Sequence, residues 1–252
     1  MITQSKLSEY LFEFLNCAPY TDFAPNGLQV EGRDTIKRIC TAVTASDEVI
    51  SEAIAWQADA LLVHHGFFWR GENQVITGMK RQRIAKLLNY NINLFAYHLP
   101  LDCHPDLGNN ACLGKMFLVD SIQTHRAGSI DNVLWSGTLS EVMSAEVFTE
   151  FLEIKLSRKP VFIAGHDRII RSIAWCSGAA QEFIEDASRL GVDAYLSGEV
   201  SEQTYYQAKE LGIHYYSCGH HATERYGVQA LGHHLTSHFQ LEHLFIDSNN
   251  PI

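Results

Sequence analysis

Leu7, Tyr10, Leu11, Phe14 and Leu15 recur at the i, i+3, i+4, i+7, i+8 spacing of one helix face, which predicts an amphipathic helix near 6–16. Beyond it, short apolar runs alternate with helical periods. The runs predict strands near 37–44, 59–63, 92–98, 133–139, 170–176, 193–197, 213–218 and 241–246. The periods predict helices near 47–57, 79–90, 109–117, 145–156, 179–190, 201–211 and 222–238. Strands alternating with helices in this way build α/β layers.

The pattern also repeats itself. A constant shift of 134 positions sets Lys37–Gly66 against Arg171–Val200 and aligns Ile39 with Ile173, Ile50 with Ile184 and Ala53 with Ala187. The same shift aligns Asp59 with Asp193, Ala60 with Ala194 and Leu62 with Leu196. Each stretch reads strand, small-residue turn, helix, buried strand. A second echo follows: Ile92–Asp102 and Ile213–Glu224 are apolar strands that both end in His-x-x-x-carboxylate, His98 with Asp102 and His220 with Glu224. Any βαβ unit shares some of this rhythm, but the common register and common ending favour duplication. Two related α/β domains are therefore expected, one from 1–125 plus about 219–252 and one from about 126–218. Open α/β sheets place ligands at the carboxyl ends of their strands, where these polar residues fall.

Composition narrows the function. Of 252 residues, 46% are apolar, enough for a full core. Lys and Arg total 19 against 29 Asp and Glu, a net charge of −10 that argues against a surface-wide grip on nucleic acid. No apolar run reaches membrane-spanning length, and the N-terminus lacks the basic start and apolar centre of a signal peptide. The six Cys are scattered without a Cys-x-x-Cys, as expected of reduced core thiols in a cytoplasmic protein. Thirteen His are many for this length, and imidazole is the commonest metal ligand.

The chemistry gathers at strand ends. His64 and His65 follow the run Ala60–Val63 directly. Neighbouring side chains on extended chain point opposite ways, so the two could flank one metal, serve two metals, or leave one as a structural His. Pro100 makes His98–Asp102 read as a rigid loop, and an Asp there could bridge two cations or cap a nearby helix. His220 and Glu224 are i, i+4 where a helix starts, a spacing that can hold one metal or simply complement the helix dipole. Taken together, nitrogen and carboxylate donors suit Zn, Mn, Fe or Ni. Two such ions about 3.5–4 Å apart would activate water and clamp a transferring group.

Ala24–Gly32 (APNGLQVEG), Val63–Trp69 (VHHGFFW), Tyr97–Asp102 (YHLPLD), Gly108–Asn110 (GNN), Ser197–Gln203 (SGEVSEQ) and Gly219–Arg225 (GHHATER) run in order over almost the whole chain. On these motifs the sequence resembles the Nif-three-like family, the GTP cyclohydrolase type-two homologs, in its short bacterial form without an inserted extra domain. The resemblance implies two interleaved α/β domains with mixed sheets and a dinuclear metal site between them. Carried over by position, the ligands are His64, His65, Asp102, His220 and Glu224, two divalent ions per chain, with His98 close by. It also implies a homohexameric ring whose sites face an inner cavity.

Other residues admit chemistry beside a plainer use. Glu199 stands at the position duplicating His65 and is a candidate general acid or base, able to take up a proton from the attacking water, or a helix-start carboxylate. His98 is a second catalytic candidate, and Glu202 and His221 are lesser ones. Lys80, Arg81, Arg83 and Lys86 could hold a phosphate or form a solvated helix face. Phe67, Phe68 and Trp69 could stack a base or pack the core. His233, His234, His238 and His243 read as surface or interface residues, and Asn26-Gly27 reads as a tight turn. No phosphate-cradling Gly-rich loop and no Gly-x-Ser-x-Gly elbow is present. The leading expectation is a dinuclear metal-dependent hydrolase acting on a small cyclohydrolase-type, phosphoester or nucleotide-related compound. The rivals are a metal-binding or trafficking protein and a ring-shaped nucleic-acid-associated protein linked to DNA repair.

Overall fold

The computed structural model describes Met1–Ile252 and divides the chain into two α/β units. Unit 1 comprises Met1–Gly108 and Arg225–Asn249, and unit 2 comprises Asn109–Glu224 with Asn250–Ile252. These junctions differ from 125/126 and 218/219. The first shifts because Asn110 belongs to unit 2 through both its side chain and its backbone: Ser177 N–H donates to Asn110 Oδ1 at 2.9 Å, and Trp175 Nε1–H donates to the Asn110 carbonyl at 2.9 Å. No helix is long and apolar enough to cross a membrane.

In unit 1, β1 (Ile2–Thr3) leads into α1 (Gln4–Phe14), whose first turn is capped by Thr3. Then come β2 (Gly27–Val30), β3 (Thr35–Ile36), β4 (Arg38–Thr44), α2 (Asp47–Ala55), β5 (Ala60–His65), α3 (Gly78–Asn89), β6 (Asn93–Ala96) and the short helix α4 (Leu99–Cys103). Unit 2 holds α5 (Asn109–Met116), β7 (Val119–Ala127), β8 (Ile130–Met143), α6 (Ala145–Leu156), β9 (Val161–Ile163) and β10 (Ile170–Trp175). It continues with a 3-10 turn at Gln181–Phe183, α7 (Ile184–Arg189), β11 (Ala194–Ser197), α8 (Glu202–Leu211) and β12 (His214–Ser217). The junction at 224/225 falls inside α9 (His220–Phe239), after which β13 (Glu242–Phe245) returns to unit 1.

The unit 1 sheet has the order β13-β4-β5-β6-β2, parallel except for β2. Its two faces are written in the period of two. Ile39, Val43, Ala60, Leu62, Phe95 and Tyr97 pack with Leu7 and Leu11 of α1 and Leu231 and Leu235 of α9. The alternate residues Cys40, Ala42, Leu61, Val63, Leu94 and Ala96 pack with Val49, Ile50 and Ala53 of α2 and Ile84 and Leu87 of α3. Both faces are covered, so β4 and β5 read as near-continuous apolar runs. The unit 2 sheet has the order β7-β8-β10-β11-β12-β9, with β10, β11 and β12 parallel and antiparallel strands at both sides.

The repeat seen in sequence is a repeat in register. Ile39 faces Ala60 across β4 and β5, and Ile173 faces Ala194 across β10 and β11, the same pair 134 positions on. The aligned carboxylates also do the same work. Asp59 Oδ2 accepts Lys37 N–H (2.8 Å) and Arg38 N–H (2.9 Å). Asp193 Oδ2 accepts Arg171 N–H (2.9 Å) and Ser172 N–H (3.1 Å). Each Asp closes the start of one parallel strand pair by satisfying backbone donors that the ladder does not reach.

Candidate metal centre

The candidate side chains of unit 1 stand at the carboxyl ends of β5 and β6. His64 and His65 are the last two residues of β5, and their ring centroids lie 4.6 Å apart despite the alternation of the strand. His64 is 1% exposed and donates Nδ1–H to the Tyr97 carbonyl at 3.0 Å. That bond fixes the tautomer and turns the lone pair of Nε2 toward Asp102, whose Oδ2 is 3.5 Å away. His65 Nδ1 meets Thr44 Oγ1 at 3.2 Å. Donor atoms of His64, His65 and His98 all lie within 4.8 Å of one another, a group able to hold a metal ion.

The His98–Asp102 segment is a correction to the sequence reading. It is not a loop: Leu99–Cys103 is helical, with His98 at the N-cap and Pro100 in the first turn. A proline there loses no hydrogen bond, because first-turn N–H groups have no helical acceptor. Asp102 N–H donates to the His98 carbonyl at 3.1 Å, so the two residues are i, i+4 at a helix start, as His220 and Glu224 are.

Asp22 organises this corner, and sequence reasoning missed it. Its Oδ1 accepts His98 Nδ1–H at 2.7 Å, and its Oδ2 accepts Leu99 N–H at 2.9 Å and Asn26 Nδ2–H at 2.8 Å. Asn26 Oδ1 in turn accepts His98 N–H at 2.7 Å. Burial alone would raise the Asp22 pKa, but the hydrogen bond and charge of His98, with Asn26 and the Leu99 N–H, outweigh it and hold the value low. Asn26-Gly27 is accordingly not the expected tight turn. Gly27 begins β2, and Asn26 positions His98. The only signal in the sequence was the conjunction of Asp22 and Asn26 around the start of the APNGLQVEG motif.

In unit 2, His220 and Glu224 occupy the first turn of α9. His220 Nδ1–H donates to Glu199 Oε1 at 2.7 Å, and its Nε2 lies 3.2 Å from Glu224 Oε2. Burial would lower the His220 pKa, yet the bonds and charges of Glu224 and then Glu199 raise it to about 9. Glu224 is 2% exposed. Gly178 makes room for it: φ there is +66°, and a Cβ would stand 2.2 Å from Glu224 Oε1 and 3.4 Å from His220 Nε2. Ser197 Oγ–H and Tyr215 Oη–H both donate to the Glu199 carbonyl, which fixes the residue that bonds His220.

Four imidazoles thus have one ring nitrogen engaged by a fixed partner: Tyr97 O, Thr44 Oγ1, Asp22 and Glu199. Metal-binding imidazoles are oriented in this manner, and the surrounding donors are nitrogen and carboxylate oxygen. The residues present therefore fit a metal ion, and His64, His65 and His98 form a group able to hold one.

The remaining predicted residues find plainer places. Phe67 is core, whereas Trp69 stands edge-on to His98 with centroids 5.1 Å apart. Lys80 pairs with Glu72 at 3.2 Å and Lys86 with Asp47 at 2.7 Å, so the basic helix face is partly neutralised. His234 and His238 are packing residues: both stack on Tyr10 of α1, and Tyr10 Oη bonds His234 Nε2. His243 meets Thr41 Oγ1 at 2.8 Å and packs edge-on against His233. His221 N–H donates to the Ile252 carbonyl at 2.9 Å, and Glu202 sits exposed in the first turn of α8. All six Cys are free thiols.

A family model described as Duf34/NIF3 (NGG1p interacting factor 3) matches residues 2–251. A "GTP cyclohydrolase 1 type 2 homolog" of Allochromatium vinosum is 49% identical over 245 residues, 97% of this chain and 96% of that protein. One of Pseudomonas aeruginosa is 48% identical over 251 residues, 99% of each. The solved structure of protein ybgI, of unknown function, superposes with a TM-score of 0.95 at 44% identity over the whole of both chains. That of TTHA1606 from Thermus thermophilus gives 0.90 at 28% identity, again over the whole of both chains.

Proposed function

We infer that this chain, which belongs to the Duf34/NIF3 family, is a dinuclear metal-dependent hydrolase. The observation that carries the reading is the group His64, His65 and His98, whose donor atoms lie within 4.8 Å of one another while one nitrogen of each ring is held by a fixed partner. His64, His65, Asp102, His220 and Glu224 are the proposed ligands, and Zn, Mn, Fe or Ni the fitting ions. A pair of such ions supplies Lewis acidity and lowers the pKa of water, the chemistry hydrolysis needs.

The chain's own residues then divide the remaining work. Asp22 and Glu199 hold His98 and His220 in position. Glu199, bonded to His220 yet 35% exposed, can also take up a proton from an attacking water at Oε1 or Oε2. His98 presents Nε2 beside His64 and His65, as a further ligand or as the base. Trp69 walls the imidazoles of unit 1 and limits the approach of bulk water.

The substrate class follows from the name carried by the relatives and from the chemistry: a cyclohydrolase-type, phosphoester or nucleotide-related compound. As part of the same proposal, the chain forms a homohexameric ring, which predicts a solution mass near six times 28.4 kDa. Six free thiols suit the reducing cytoplasm, where we place it.

The test is a hydrolysis screen of metal-loaded protein against phosphoesters, nucleotides and cyclic amides, with His64→Ala as the control. Turnover that requires added metal and disappears in the variant supports the reading. Full metal occupancy with no turnover on any of the three classes would reassign the chain to metal storage or trafficking.

A further inference from the structure

The three-imidazole group of unit 1 has two aromatic neighbours that metal binding does not explain. Trp69 stands 5.1 Å from the His98 ring with the two planes 85° apart, and Phe23 stands 6.2 Å from it at 72°. Neither ring has an atom that ligates a metal or takes up a proton: indole offers only an N–H donor, and phenyl offers nothing. Phe23 is nonetheless 51% exposed, and Trp69 is partly exposed, both beside the candidate ligands. An edge-on contact takes up at most one face of a ring, so His98 does not exhaust the pair.

The chain fixes these rings by a strained turn and a set of specific bonds. Phe68 has φ +67°, left-handed backbone that a bulky side chain avoids. Such a conformation persists only where its surroundings impose it. Before it, Gln29 Oε1 accepts Phe67 N–H at 2.6 Å. After it, Trp69 N–H donates to Glu72 Oε2 at 3.2 Å, and Arg70 N–H donates to the Phe23 carbonyl at 2.7 Å. Arg70 Nη2–H also donates to the Asp22 carbonyl at 2.8 Å. Asp22 is the residue whose carboxylate holds His98. Phe23, Trp69 and His98 are therefore tied into one set, through two consecutive carbonyls and one carboxylate. Phe68 itself lies exposed beneath Lys80 Nζ, 4.9 Å from its ring centroid, so the strained turn serves the residue after it.

What the set offers is flat π surface beside the imidazoles. Keeping water out does not need it, since aliphatic side chains exclude water as well. A flat aromatic ring gains more from it, by offset or edge-on packing at centroid distances of about 4.5–7 Å, and every nucleobase has a π face to stack. We propose that Trp69 and Phe23 select the substrate by holding a flat aromatic ring, of the nucleobase kind, against the His64, His65 and His98 group, in preference to an aliphatic phosphoester. The proposal rests on the hydrolase reading and narrows its substrate class.

Two pairs of ligands that share a phosphate and differ in flatness test it: phenyl phosphate against cyclohexyl phosphate, and adenosine 5′-phosphate against ribose 5-phosphate. Calorimetry on the full, zinc-loaded chain gives the affinities. The indole ¹H–¹⁵N signals of the four Trp report contact, and the one missing in Trp69→Leu belongs to Trp69. In at least one pair the aromatic member should bind about fivefold or more tightly than its counterpart and shift the Trp69 signal. Trp69→Leu should bring that ratio close to one, and Phe23→Leu, at an exposed position, should lower it. Trp69→Tyr, which keeps a flat ring, should retain most of it. A smaller ratio in both pairs, no binding of any of the four, an unmoved Trp69 signal, or an undiminished ratio in Trp69→Leu would overturn the proposal. Zinc content and turnover are measured separately: a chain that retains no zinc or turns nothing over fails the hydrolase reading, while the affinity ratio alone judges the ring site.

Discussion

Replacing Gly178 by Ala separates the site from the scaffold. The backbone at Gly178 has φ +66°, where an L side chain costs roughly 1–2 kcal/mol. In addition, the new Cβ would lie 2.2 Å from Glu224 Oε1, well inside contact distance. That atom is the end of a side chain that is only 2% exposed, so it cannot swing into solvent without abandoning its place beside His220. The steric cost therefore falls on the carboxylate and not on the sheet. Gly178→Ala should weaken metal binding by about 10–100-fold, or about 1.4–2.7 kcal/mol. Urea stability of the chelator-treated chain should fall by only about 1–2 kcal/mol. Gly191→Ala supplies the control, since φ there is +72° and nothing lies within 4 Å of the added Cβ. It should lose the same stability and no metal affinity. Competition against a chromophoric chelator measures the first quantity and urea unfolding the second. Unchanged metal affinity in Gly178→Ala, or an equal loss in both variants, would refute the assignment of Glu224.

Asp22→Ala should weaken metal binding through the loss of His98 orientation, by about 10–100-fold, and cost about 1–3 kcal/mol in urea unfolding as the Leu99 N–H and its neighbours lose their acceptor. Asp59→Ala and Asp193→Ala should destabilise the chain by similar amounts, about 1–3 kcal/mol each, since each strands two backbone donors in the same register; a large cost for one and none for the other would contradict the structural repeat. In the metal-free chain the His220 pKa is raised from 6.5 to about 9, so its contribution to stability is complete below about pH 6.5 and is lost as pH rises through 9. Urea midpoints of chelator-treated protein between pH 6 and 9.5 should decline accordingly, and the decline should be absent in His220→Asn.

What the sequence made legible follows from where two faces are buried. The runs in β4, β5, β10, β11 and β12 are apolar on both faces, and each appears at its expected place. Strands at the margins escaped. β7 is mostly exposed between Val119 and Ala127 and pairs only with β8, so no apolar alternation marks it. β2 and β9 are short edge strands for which the same holds. The expected helix near 179–190 divides into a 3-10 turn and the short α7, and β8 runs well past 133–139 because β7 extends its ladder. At the site, His64, His65, His98, Asp102, His220 and Glu224 stood out because imidazoles and carboxylates end apolar runs. Asp22 did not, because it lies 76 residues from His98 in a segment without periodicity, and only the fold brings them to 2.7 Å. Pro100 misled because a proline rule for helix interiors was applied to a first turn.

Metal content measured by elemental analysis, on protein loaded with Mn, Zn, Fe or Ni and then freed of loose ions, tests the central claim most directly. The wild-type chain should retain about two ions, and Asp102→Ala should lose them. Fewer than one ion per chain under every loading, or undiminished content in Asp102→Ala, would contradict the dinuclear centre.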